Sequence, residues 1–114
     1  TTSVLSIGID EVTSGHIDPQ EFGISTAPIS ALVGGDGAEN AQITNSIFAG
    51  KKGAHRDACV LNAAAAIAAY EGRTELSLHD RIASGVESAI SAIDSGAAQD
   101  LVSRWAALTQ KLGA

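Results

Sequence analysis

The 114-residue sequence predicts a mostly helical α+β chain, one β-hairpin followed by four α-helices. Two short β-prone runs near the N-terminus flank a glycine-led turn, which is a hairpin signal. Downstream, apolar residues recur at helical spacing in four successive stretches. Gly50 with Gly53, Gly72 and Gly96 stand where the first three of those stretches end, as helix stops do.

The hairpin covers residues 3–17. Val4, Ile7, Val12 and Ile17 mark its runs, and Gly8-Ile9-Asp10-Glu11 makes the turn. A lone hairpin is marginal in water and must lie on something. Ile17-Asp18-Pro19-Gln20-Glu21-Phe22-Gly23 reads as a tight turn or a single-turn helix, and Pro19 and Pro28 keep residues 18–29 from forming one regular element. The first helix is expected over about 37–49. Asp36 stands three residues before Glu39, as an N-cap and its capping-box partner should, and Ala41, Thr44, Ile47 and Phe48 share a face.

The second helix is expected over about 56–70. It is apolar nearly all round, so it should be buried on most sides, with Asn62 as a buried amide in need of hydrogen-bond partners. The third, about 78–94, starts at Ser77 with Asp80 as a second capping-box pair, and its stripe is Ile82, Val86, Ala89, Ile90 and Ile93. The fourth, about 97–112, aligns Leu101, Trp105, Leu108 and Leu112. No repeat, low-complexity tract or linker divides the chain. A hairpin and three amphipathic helices do not cover the second helix completely. A larger sheet is expected beneath it, which this chain does not contain.

Composition narrows the function. Hydrophobic residues make up 45% and aromatics only 4%, so the core must be built from Ala, Ile, Leu and Val. A net charge of -6 argues against nucleic acid and against an anionic membrane surface, both of which need a basic face. The single cysteine, Cys59, allows no internal disulfide, which fits a reducing cytoplasm. The start, TTSVLSIG, lacks the basic region of a signal peptide. The longest apolar run, 63–70 (58–70 if Asn62 is allowed), is shorter than the roughly 18–20 residues that span a bilayer. There is no methionine, a hint that Thr1 is not where translation began.

Few residues invite a chemical reading. Val33-Gly34-Gly35-Asp36-Gly37-Ala38-Glu39-Asn40 resembles a phosphate cradle at first sight. It fits neither GxxxxGK[ST] nor GxGxxG, and its carboxylates would repel a phosphate while capping a helix well. Lys51-Lys52-Gly53-Ala54-His55-Arg56 is the only basic cluster and precedes a helix N-terminus, a natural anion site. Asp57 follows at once, and a solvated loop with a structural Arg–Asp pair explains it better, since most surface charge runs are only solvated. His55 and Cys59 are four apart on one face, but no further His or Cys lies nearby in sequence to complete a metal site. Cys59 opens an apolar run, where a small buried residue is expected. His16 and His79 are isolated. Asp10-Glu11, after Gly8-Ile9, is a pair that could hold Mg²⁺.

Three ordered motifs give the chain a family resemblance. Gly34-Gly35-Asp36-Gly37-Ala38-Glu39-Asn40-Ala41, His55-Arg56-Asp57-Ala58-Cys59-Val60-Leu61-Asn62-Ala63-Ala64-Ala65 and Ala92-Ile93-Asp94-Ser95-Gly96-Ala97-Ala98 resemble the C-terminal part of anthranilate phosphoribosyltransferases. That family shows GGD-x-x-ENA, RDA-x-x-LNAAAAL and AIDSGAA in this order and at about this spacing. Ile17-Asp18-Pro19-Gln20-Glu21-Phe22-Gly23-Ile24 is similar to its LDPEDFGL. The resemblance extends over effectively all of the chain.

The resemblance implies an α/β parent domain that transfers a phosphoribosyl group from phosphoribosyl pyrophosphate to anthranilate, with Mg²⁺, in tryptophan biosynthesis. The family's Gly-Thr-Gly-Gly-Asp loop, anthranilate-binding residues and dimerising domain lie upstream of anything present here. Its metal pair follows Gly-Leu, as Asp10-Glu11 follows Gly8-Ile9, but its spacer to the Asp-Pro is much longer. Residues 4–19 instead match the hairpin after that pair. No catalytic, cofactor-binding or metal residue is therefore expected in this chain. Asp36, Glu39, Asn40, Arg56, Asp57 and Asn62 are expected to be structural.

The expected partner is the N-terminal remainder of the same enzyme, in a cytoplasmic, homodimeric parent. No metal is expected on this chain alone. A different class of reading is a stand-alone helical module that oligomerises and does no catalysis. A further one is anion binding at Lys51, Lys52, His55 and Arg56.

Overall fold

The computed structural model describes residues 1–113, and the chain runs as a hairpin, two short 3₁₀ turns and four helices. Strands β1 (Thr2–Ile7) and β2 (Val12–Ile17) pair antiparallel, with Thr2 opposite Ile17 and Ile7 opposite Val12. The Gly8 N–H donates to the Glu11 carbonyl at 2.8 Å and closes the four-residue tip. The alternation that sets one face inward sends Val4, Gly15 and Ile17 toward the helices. The other face carries Leu5, Ile7 and Val12 into solvent. Gly15 is where the hairpin meets the helices: a Cβ there would come within 2.8 Å of Leu78 Cδ2.

Pro19–Phe22 forms a 3₁₀ turn whose start is capped by Asp18, which accepts from the Gln20 N–H at 3.0 Å. Gly23 ends it at φ 74°, a left-handed conformation that glycine adopts without strain. A second 3₁₀ turn, Ile29–Leu32, follows Pro28, where the sequence pattern predicts no element.

Helix α1 (Gly37–Phe48) begins at the Asp36 N-cap, and α3 (Leu78–Asp94) at Ser77. At α3 only half of the expected capping box forms. The Asp80 N–H donates to Ser77 Oγ at 3.0 Å, while the Asp80 carboxylate lies 3.5 Å from His79 Nδ1. The largest layer is α2 (Ala54–Glu71) against α3. Val60, Ala64 and Ala68 of α2 meet Ile82, Val86, Ala89 and Ile93 of α3, and Ile17 and Ile47 complete the core. Gly85 makes this approach possible: a Cβ there would lie 2.8 Å from Ala64 Cα and closer still to the Ala64 carbonyl oxygen. Gly85 thus takes a place on the α3 stripe that the apolar pattern did not give it. Ile90, expected on that stripe, is exposed.

Two helices are less covered than their sequences ask. In α2 only Arg56, Val60, Ala64 and Ala68 are buried, and Cys59, Asn62, Ala63, Ala66 and Tyr70 face outward. Helix α4 (Ala97–Gly113), turned by Gly96 at φ 83°, buries no residue at all. Its stripe of Leu101, Trp105, Leu108 and Leu112 is present and uncovered.

The accessible surface is 7914 Å², against about 5,800 Å² for a self-contained protein of 11.5 kDa. The radius of gyration is 16.0 Å, where a compact chain of this length gives about 13 Å. Both quantities show a chain less covered and more extended than a compact one of its size. The α+β, mostly helical architecture is the one the sequence predicts, and the incomplete cover it anticipated for α2 extends to α4 and to the hairpin's outer face.

Candidate functional site

Most of the residues singled out in the sequence gather at one end of the molecule, where the entry to α1, the Lys51–Gly53 loop and the start of α2 surround a hollow of about 500 Å³. Its walls include Gly34, Gly35, Glu39, Lys51, Lys52, His55 and Arg56.

The glycine-rich stretch closes on itself. The Glu39 N–H donates to Asp36 Oδ1 at 2.9 Å, and the Asp36 N–H donates back to Glu39 Oε2 at 3.0 Å. Asn40 holds Gly35 from both sides. Its Oδ1 accepts from the Gly35 N–H at 3.0 Å, and its Nδ2 donates to the Gly35 carbonyl at 2.9 Å. Amides that would cradle a phosphate are already bonded to side chains, and a carboxylate stands among them. The stretch is a helix entry, and the glycines leave room for the Asn40 and Glu39 side chains.

Helix α2 starts differently. Gly53 at its N-cap supplies no side-chain cap, so the dipole there is met by Asp57 in the first turn. His55 Nε2 lies 3.2 Å from the Val33 carbonyl and ties this start to the α1 entry. Arg56 is 3% exposed and points its charge at Asp94, with Nη1 2.9 Å from Oδ1. The approach lies off the hydrogen-bond direction, leaving Nη1 without a well-directed acceptor, so attraction between charges holds the pair. Contact with the Arg56 guanidinium keeps the Asp94 carboxyl below its ordinary value. The charges of Arg56 and Lys52 add to this, against a partial opposing effect of desolvation. Sequence adjacency predicts Asp57 as the partner of a neighbouring cation. The structure pairs Arg56 with Asp94 instead, because packing of α2 on α3 brings the end of α3 to the start of α2. Asp57 makes no ion pair among the described residues.

Two further expectations are corrected. Asn62 is not a buried amide: it faces solvent, and its Nδ2 donates to the Ala58 carbonyl one turn back at 2.8 Å. Cys59 is exposed rather than buried, because it lies on the side of α2 away from α3. Asp10 and Glu11 stand at the exposed hairpin tip. Among the described residues no three His, Cys, Asp or Glu side chains converge in one group. No helix of the described residues is long and apolar enough to cross a membrane.

This end of the molecule joins the α1 entry, the Lys51–Gly53 loop and the start of α2. Its motifs do identify its relatives. The family model described as "Glycosyl transferase family, a/b domain" matches residues 1–99. The chain belongs to that family. A protein named anthranilate phosphoribosyltransferase, from Rhodococcus jostii (strain RHA1), is 45% identical over 113 residues, which are 98% of this chain and 31% of the relative. The protein of the same name from Nocardia farcinica (strain IFM 10152) is 45% identical across 93% of this chain and 37% of its own length. That of Mycobacterium leprae (strain Br4923) is 44% identical across 98% and 31%. The chain thus spans about a third of the length of the curated transferases it matches, and the resemblance read from its motifs holds over nearly all of it.

Proposed function

We propose that this chain is the C-terminal portion of an anthranilate phosphoribosyltransferase and that it supplies packing helices, not reacting groups, to that enzyme's α/β domain. The supporting observation is the mismatch of coverage: the match takes in 98% of this chain but 31% of the relative. The uncovered faces of the hairpin, α2 and α4 agree, since they lie on separate elements and ask for a neighbour the size of a domain. The surface in excess of a compact protein is about 2,100 Å², whereas each partner in a standard interface hides about 800 Å².

On this reading the whole enzyme, a cytoplasmic homodimer of tryptophan biosynthesis, moves a phosphoribosyl group from its pyrophosphate to the amino group of anthranilate. Bound Mg²⁺ would supply charge stabilisation for the departing pyrophosphate, from ligands outside this chain. Asp36, Glu39 and Asn40 fix the start of α1. Arg56 with Asp94 locks α2 to α3. Asp57 complements the α2 dipole, and Asn62 sits on the α2 face toward the missing neighbour.

The test is an assay of purified residues 1–114 with phosphoribosyl pyrophosphate, anthranilate and Mg²⁺. No phosphoribosyl anthranilate should form, and formation above background would overturn the packing role. Size-exclusion chromatography separates the helical-module reading. Aggregation of the chain alone at high concentration is expected, whereas a stable, well-behaved homodimer would favour a self-sufficient helical module.

A further inference from the structure

We draw no further inference here: the strongest candidate, the apolar stripe of α4 formed by Leu101, Val102, Trp105 and Leu108, is an unpartnered helix face, and nothing in the structure shows what covers it beyond the larger domain already proposed.

Discussion

Arg56 and Asp94 are unequally placed partners, one 4% exposed at its side chain and the other 45%. The cation has given up its water, so it depends on the anion more than the anion depends on it. This asymmetry sets a pH dependence. The Asp94 carboxyl titrates below its ordinary value of 3.8 in the folded chain. Its contribution is therefore present above that value and is lost as pH falls through the lower folded one. Asp94→Asn should lower the unfolding midpoint at neutral pH and flatten its decline in acid. Parallel stability curves for the two proteins would remove the pair from the account. Asp80, held low first by Ser77 and then by His79, keeps part of the acid sensitivity in the variant. The contrast with Asp36 and Glu39 shows what is legible at this scale. A capping box is written in four consecutive residues, so the sequence displays it. The partner of Arg56 depends on how two helices cross, so sequence adjacency points to Asp57 and not to Asp94.

Between elements, one contact governs the fold. Gly85 lets α3 settle onto the main chain of α2 at Ala64, which is 0% exposed. Gly85→Ala sets two effects against each other. Alanine favours the helix by about 1 kcal/mol over glycine. The added methyl meets Ala64 backbone atoms, which cannot rotate aside, and overpacking of this kind costs about 1–3 kcal/mol. A net loss of stability is expected in urea unfolding, and a gain would mean that the helices part easily. The position was invisible in the sequence because a glycine within a helical stripe reads as a gap in the apolar pattern. Helix α4 makes the opposite case. Its stripe was plain from Leu101, Trp105, Leu108 and Leu112, yet no described residue of α4 is buried. Its amides should exchange with deuterium well before those at the centres of α2 and α3. Equal protection across the three helices would show that α4 is held by more than its sparse contacts.

For the molecule as a whole, the shallow core is the main physical fact. Surface and radius both exceed those of a compact chain, and the exposed large apolar residues lie on the hairpin, the 29–33 segment and helices α2, α3 and α4. The sequence foresaw part of this, since a helix apolar nearly all round could not be buried by the elements available. It could not foresee that the hairpin turns Leu5, Ile7 and Val12 away from the helices, because either face of so short a ribbon could have served. Trp105, the single tryptophan and 66% exposed, reports on the outcome. The isolated chain at low concentration should show the emission of a hydrated indole and ready quenching by acrylamide. A blue-shifted, protected signal would mean that α4 is already covered in solution.

The Gly85–Ala64 contact also limits how the sequence can drift. Every replacement at position 85 adds at least one carbon where main chain already lies, so that position has no near neighbours in sequence space. Ala64 can shrink only to glycine, and a larger side chain there meets α3. The two sites can change only together with the distance between their helices. A lineage that altered them would have to re-space the layer that carries the rest of the core.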